Sequence, residues 1–318
     1  LAPAGVVWIE PRAAEAYTRA SVAAGQREGQ FKPAILQYTR ELKLPLADLH
    51  AFARPVGAVT RFDPDAWKSP RYKKKVKALL ERIPLDLSLG DTVRERRRQP
   101  SLVRALAWVD DARVIAHAKR IADAFLGQLE GRGKSEPAIE DVSVFLPLHA
   151  SLLGREPAGR AARETLWKRL RAGFDRVRNP TERDVVIEAL AAFRDPELVV
   201  KSYDLLLDGT LRAQDLRTLR GATPMFPETA RALWGWLTSH FDAVVAKLGA
   251  KSAPSLPGFA GSFCTEDDAR AVEAFFAAKK DVLPDGIERP LAQTLEGIRA
   301  CIVGRARYGE EARAWYAR

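Results

Sequence analysis

Four histidines are the residues of this 318-residue chain best suited to metal binding or acid–base chemistry. They are His50, His117, His149 and His240, and no two of them lie four residues apart. A helix therefore cannot present two imidazoles on one face, as the HExxH motif of zinc peptidases requires. The chain also has no GxSxG segment, which carries the nucleophile of α/β-hydrolases. The sequence thus gives no support for self-contained catalysis.

Two other features have the residue types of a chemical site. The segment Gly131–Ser135 (GRGKS) ends like a phosphate-binding loop, but Gln128 stands where that motif needs its first glycine. We interpret it as a flexible loop joining helices. Cys264 and Cys301 are too few for a disulfide framework or a cysteine-built zinc site. Their apolar surroundings predict thiols that act as small buried hydrophobic groups.

The net charge of +10 is concentrated near the start of the chain. Residues 1–100 hold 19 Lys or Arg against 11 Asp or Glu, whereas the rest hold 32 against 30. The excess comes from two runs: Lys68, Arg71, Lys73, Lys74, Lys75 and Lys77, then Arg94, Arg96, Arg97 and Arg98. Such runs can attract phosphates or anionic surfaces. We favour a solvated helix face or a linker, because charge runs are usually exposed.

The first third of the chain has mixed patterns. Two short β-branched segments within the first 65 residues, Val6–Glu10 and Gly57–Phe62, are candidate strands. The predicted helices there are Pro11–Gly29, Pro33–Leu44 and Trp67–Ile83. The stretch Pro84–Pro100 is basic and irregular. We therefore predict a basic, mostly helical N-terminal segment over residues 1–92 and a helical-repeat domain over residues 93–318.

From residue 101 onward, apolar residues recur at the three- and four-residue spacing of amphipathic helices. Thr181 and Thr265 are predicted N-caps, and Gly127, Gly209 and Gly249 are predicted to follow helix ends.

The chain also contains a faint internal repeat. The segment Arg104–Gly127 parallels Glu188–Gly209, and each has a turn that carries an aspartate, Asp111 or Asp195. Paired helices that recur in this way predict an all-α fold, a right-handed stack of antiparallel helical hairpins of the HEAT or armadillo kind. A bundle with two similar hairpins is the alternative.

Motifs in this region resemble those of a known family. They are Asn179-Pro180, Glu182-Arg183, Ala189-Leu190, Phe193, Asp195-Pro196-Glu197-Leu198 and Gln214-Asp215, then the segments Ala230–Gly249, 259–280 and 288–302. Their order and spacing resemble the C-terminal helical (ERAP1-like) domain of M1-family zinc aminopeptidases. The resemblance covers about residues 98–318.

The resemblance implies a non-catalytic lid that closes over the active site of a catalytic domain and forms much of the chamber for peptides. The family's zinc site and its GxMxN motif belong to that other domain. Met225, the one methionine of the chain, lies in TPMFPET and cannot belong to GxMxN. We therefore expect no cofactor in this chain, zinc only in the missing domain, and an M1-type catalytic domain, in cis or in trans, as partner. Arg299 matches an arginine of a family helix and is the candidate substrate-binding residue, although a structural salt bridge is the preferred interpretation.

Two other function classes stay open. A basic HEAT-like protein could bind nucleic acid, but the few aromatic residues near the basic runs and the nearly neutral remainder count against it. A stand-alone protein-interaction scaffold is the other.

Compartment and chain ends are less well indicated. No apolar run approaches the ~20 residues of a membrane span. The compartment is open, with the cytoplasm slightly favoured over a processed, exported protein. Leucine at position 1 leads us to expect a processed product or a piece of a longer chain.

Overall fold

The computed structural model describes residues 63, 65–80, 87, 103–132, 136–153, 159–177, 179–224, 226–283 and 285–317. These residues form α-helices and short 3-10 helices joined by turns, with no strand among them. The predicted all-α class is therefore confirmed. The candidate strands and the helices predicted over residues 11–29 and 33–44 lie outside the described residues, as does the second basic run.

The chain divides into two compact units, with boundaries between Val114 and Ile115 and between Gly304 and Arg305. In the first unit a 3-10 helix, Ala66–Lys68, precedes helix α1, Pro70–Leu80, so a helix is confirmed in this stretch. Residues 81–83 of the predicted helix lie outside the described residues. Residues 103–108 are also helical.

The first basic run lies on and just before α1. Lys68, Arg71 and Lys74 are exposed, whereas Lys73 forms an ion pair with Asp110 at 2.5 Å. The opposite face of α1 is buried through Tyr72, Val76 and Leu80. This part of the run is therefore the polar face of an amphipathic helix, as the preferred interpretation of the charge predicts.

Helices succeed one another from residue 112 to residue 317. They are α2 (Ala112–Leu129), α3 (Ile139–Leu152), α4 (Arg160–Phe174), α5 (Pro180–Ala191), α6 (Pro196–Leu207), α7 (Leu216–Ala222), α8 (Pro227–Ser239), α9 (Phe241–Ser252), α10 (Glu266–Ala278) and α11 (Glu288–Ala317). Three 3-10 helices, Ala213–Asp215, Ala253–Ala260 and Lys280–Val282, lie between them. None of the described helices is both long enough and apolar enough to cross a membrane.

Helix α5 lies at the centre of the second unit. It packs against α4 and α6, its neighbours in sequence, and against α3 and α7, each two helices away. Helix α6 packs in the same way against α5, α7 and α8. Six residues of α5 are buried: Val185, Val186, Ile187, Ala189, Leu190 and Ala191. A helix that is apolar on several sides must be covered on several sides, and stacking hairpins against each other achieves this.

The helix starts follow local side-chain chemistry. Thr265 caps α10 as predicted, because its hydroxyl accepts a hydrogen bond from the backbone N–H of Asp268 at 3.1 Å. The predicted cap at Thr181 is wrong. Asn179 caps α5 instead, and its Oδ1 accepts from the N–H of Thr181 at 2.9 Å. Pro180 is the first residue of this helix. Proline suits this position because N–H groups in the first turn have no hydrogen-bond acceptor within the helix, so the N–H that proline lacks is not needed.

Two of the three predicted helix-ending glycines mark helix ends. Gly209 has φ 90° directly after α6, and Gly249 has φ 68° at a kink near the end of α9. Glycine adopts this left-handed conformation at little cost. Gly127 does not end its helix, since α2 continues to Leu129 and the left-handed residue is Gly131.

A matched pair of valine substitutions tests the central position of α5. Val186 is fully buried, whereas Val303 on α11 is 66% exposed. We expect Val186→Ala to lower the free energy of unfolding by about 2 kcal/mol, through lost burial and the cavity it leaves. Val303→Ala should change it by less than about 0.5 kcal/mol. Urea denaturation measures both, and equal effects would contradict a core centred on α5.

Candidate functional site

Three salt bridges each join an arginine on one helix to an aspartate further along the chain. The pairs are Arg163 with Asp195, Arg183 with Asp215, and Arg231 with Asp268. The partners are 32, 32 and 37 residues apart, which is about one helical hairpin. Each aspartate lies at the start of a helix, and its side chain is 12%, 4% or 8% exposed. The pairs therefore tie successive hairpins together, and two of them are largely closed to water, whereas Arg231 of the third is 60% exposed.

The Arg183–Asp215 pair is the most completely bonded. The guanidinium donates to both carboxylate oxygens, at 3.0 and 2.7 Å, and the backbone N–H of Arg212 donates to Asp215 Oδ2 at 2.8 Å. Arg183 also lies over the ring of Phe174, at 4.9 Å from its centroid. Burial alone would raise the pKa of Asp215, but the bonds and charge of Arg183 outweigh it and hold the pKa below its ordinary value.

Asp195 is at once an N-cap and a salt-bridge partner. Its Oδ1 accepts from the N–H groups of Glu197 and Leu198, at 3.1 and 3.3 Å, while Oδ2 accepts from Arg163 Nε at 3.2 Å. The carboxylate thus satisfies N–H groups that a helix leaves unpaired at its start, and its charge suits the positive end of the helix dipole.

Asp111, the aspartate at the corresponding point of the sequence repeat, caps α2 in the same way. Its Oδ1 accepts from the N–H groups two and three residues further on, Arg113 and Val114, at 3.0 and 3.3 Å. The side chain of Arg113 also donates to it, and these bonds keep the pKa of Asp111 below its ordinary value. The faint repeat in the sequence therefore corresponds to a repeated cap geometry.

Other polar contacts bridge the same hairpin distance. Trp167 Nε1 donates to Ser202 Oγ, and Trp236 Nε1 donates to Asp204 Oδ1, both at 2.8 Å. Arg169 donates to both carboxylate oxygens of Glu130, at 2.7 and 3.0 Å. These bonds lower the pKa of Glu130 to about 2.

Arg299, the candidate substrate-binding residue of the sequence, lies on α11. Its guanidinium is 3.7 Å from Glu273 Oε2 on α10, and the two side chains are 55% and 59% exposed. A long ion pair between exposed side chains contributes little to stability. The guanidinium is thus accessible to solvent on the surface of the second unit.

The three described histidines, His117, His149 and His240, are held by packing and local contacts. The ring of His117 packs against Phe145 at 4.5 Å between centroids, with the two planes tilted by 56°. His149 is buried on α3, and His240 Nδ1 contacts the carbonyl oxygen of Trp236 at 2.9 Å. Burial lowers the pKa of both His117 and His149. In the described ranges, no group of three or more His, Cys, Asp or Glu side chains is placed to hold a metal ion. Residues 133–135 of the GRGKS segment lie outside these ranges.

The expectation of two separate cysteine thiols is wrong. Cys264 and Cys301 form a disulfide across 37 residues. That separation is also the one between Arg231 and Asp268. No local signal in the sequence pairs the two cysteines, because the 37-residue separation between bonded partners emerges only from the structure.

The fold, an all-α stack tied together by buried salt bridges, contains residues of every motif on which the resemblance depends. The sequence matches the family model of the ERAP1-like C-terminal domain over residues 44–300, and the chain belongs to this family. The match begins upstream of residue 98, where the resemblance of the motifs begins.

Two yeast proteins are similar to part of the chain. The Alanine/arginine aminopeptidase of Saccharomyces cerevisiae is 28% identical over 137 residues, which are 40% of this chain and 15% of that protein. Aminopeptidase 2, mitochondrial, of the same organism is 28% identical over 120 residues, 37% of this chain and 12% of that protein. The match therefore spans only a small part of the length of either relative.

Removing one partner of the buried pair tests its role. We expect Arg183→Ala to lower the free energy of unfolding at pH 7 by about 3 kcal/mol, because Asp215 would remain buried without its cation. Below about pH 4 the loss should shrink, since an unpaired Asp215 can then become neutral by taking up a proton.

The matched control is Arg160→Ala. Arg160 pairs with Glu164 and Glu197 at the exposed surface, so this variant should leave the urea midpoint almost unchanged. Losses of equal size for the two arginines would show that burial of the Arg183–Asp215 pair is not what matters.

Proposed function

We propose that this chain is a non-catalytic helical lid that forms part of the substrate chamber of an M1-like zinc aminopeptidase. The observation that carries the proposal is membership of the ERAP1-like C-terminal domain family, together with the similarity to two proteins named aminopeptidases. The 318 residues contain neither HExxH nor GxMxN. Peptide hydrolysis is therefore the work of an M1-type catalytic domain, in cis or in trans, with zinc bound there.

The described contacts support a passive, rigid role. A lid must keep its shape while peptides enter and leave, and paired, buried charges at the hairpin junctions resist sliding because each pair has one register in which it is satisfied. The acidic side chains of Asp111, Asp195, Asp215 and Asp268 lie at helix starts and form ion pairs, which supports a structural role for them.

The lid proposal is tested first on the purified chain. We expect no hydrolysis of aminoacyl amides and no bound zinc above background. Chelator-sensitive hydrolysis by the chain alone would contradict the proposal.

The same sample separates the other two function classes. Binding to duplex DNA that weakens steeply with salt would favour a nucleic-acid protein, and we expect none at about 100 mM salt. Sequencing upstream of residue 1 completes the test. An HExxH-bearing reading frame, or a separate M1-type chain that co-purifies, is expected, and the absence of both would favour a scaffold.

Arg299 is the residue we propose to contact peptide. In the enzyme that carries the catalytic domain, we expect Arg299→Ala to raise KM for peptides long enough to reach the lid. It should leave kcat/KM for a single-residue aminoacyl amide unchanged, because that substrate lies in the catalytic domain alone.

Glu273→Gln is the matched control, because it removes the ion-pair partner of Arg299 and keeps the guanidinium. The proposal predicts a lower or unchanged KM for long peptides in this variant. Equal increases in KM for the two variants would show that Arg299 serves only the structural ion pair.

A further inference from the structure

The disulfide joins two elements that are not neighbours in sequence. Cys264 lies in the turn directly before α10, and Cys301 lies within α11. Their Cα atoms are 5.3 Å apart, which is ordinary for a disulfide. The bond therefore closes a loop that contains the whole of α10, the 3-10 helix Lys280–Val282 and the first half of α11.

The bond lies where the apolar burial of α11 ends within the second unit. Leu295 and Ile298 are 7% and 0% exposed, whereas Val303 is 66% exposed. Between these positions Arg299 forms a 3.7 Å ion pair with Glu273, and both side chains are more than half exposed. Such a pair contributes little. Ile302 is half-buried. The disulfide therefore adds a covalent tie between this part of α11 and the turn before α10.

We propose that the Cys264–Cys301 bond is a permanent structural staple of α11, formed in an oxidising compartment. Disulfides persist in extracellular, periplasmic and endoplasmic-reticulum proteins and are rare in the cytosol. Of the two compartments that the sequence leaves open, the bond favours the exported one. This inference does not depend on the proposed lid function, because it rests on the position of the two cysteines alone.

Formation of the bond requires a disulfide as oxidant, either oxidised glutathione or a thiol–disulfide oxidoreductase. One cysteine thiolate attacks a sulfur of the oxidant and expels a thiol, and the second thiolate then displaces the remaining sulfur as a second thiol. The two cysteines together lose two protons and two electrons, and the oxidant gains them. In the product Cys264 is 7% exposed and Cys301 is half-buried, so a reducing thiolate has limited access to either sulfur while α11 stays docked.

The test compares the full chain made in the cytosol and in the periplasm of a bacterial expression host. Denaturing alkylation followed by intact mass measurement counts free thiols, and peptide mapping identifies the cross-link. We expect no free thiol in the exported chain. In hydrogen exchange, we expect the amides of residues 299–304 to exchange up to about 600-fold faster in Cys264→Ser/Cys301→Ser than in the oxidised chain, as the loss of a cross-link that closes a 37-residue loop predicts.

Two controls keep the test decisive. Val303→Ser alters an exposed position of the same helix and should keep both the bond and the slow exchange. If the double serine variant does not fold, wild-type chain that has been reduced and alkylated after unfolding, then refolded, takes its place.

Three results would overturn the proposal: free thiols in the exported chain, equal exchange in oxidised and cysteine-free chains, or rapid reduction of the folded chain by millimolar glutathione. The last of these would indicate a labile redox switch instead of a staple. Persistence of the bond under that treatment supports the staple.

Discussion

The second unit depends on carboxylates that are buried at the starts of helices and paired with an arginine one hairpin upstream. A buried, unpaired aspartate would be costly, so Asp195 and Asp215 are acceptable only where Arg163 and Arg183 lie within bonding distance. Apolar contacts between helices tolerate sliding, whereas a two-bond carboxylate–guanidinium pair is satisfied in one register only. The charge pairs therefore select one arrangement of the stacked helices from those that the apolar helix faces alone would allow.

The same aspartates also begin their helices, and this double role couples local and long-range structure. Asp195 uses one oxygen for the N–H groups of α6 and the other for Arg163 on α4. The cap stabilises the start of the helix at Pro196 by about 1 kcal/mol. The second oxygen of Asp195 is bonded to Arg163 only when α4 has docked. Secondary and tertiary structure thus stabilise each other at a single side chain. A sequence whose local and long-range interactions support the same structure in this way favours one native state.

Local sequence signals correctly predicted those helices and helix ends that are determined by a few neighbouring residues. The three-to-four periodicity gave the helices, and Thr265 and Gly209 marked ends correctly, because a cap or a left-handed glycine is governed by a few neighbouring residues. Thr181 failed because Asn179 and Pro180 together make the better start. The pairings across 32–37 residues could not be read in this way. Arg183 and Asp215 were recognised only as family motifs, and the disulfide was missed because nothing next to Cys264 reports the position of Cys301.

The motifs that identify the family are therefore mostly structural in this chain. Asn179 and Asp195 are caps, Arg183 and Asp215 are a buried pair, and Phe193 is core. Asp215 and Phe193 are buried and Arg183 is half-buried, so these three residues specify the packing of the helices, whereas Asn179 is exposed and Asp195 is half-buried. Family membership therefore predicts the packing of this domain, whereas the peptide contact proposed for Arg299 involves an exposed side chain that one long ion pair holds in place.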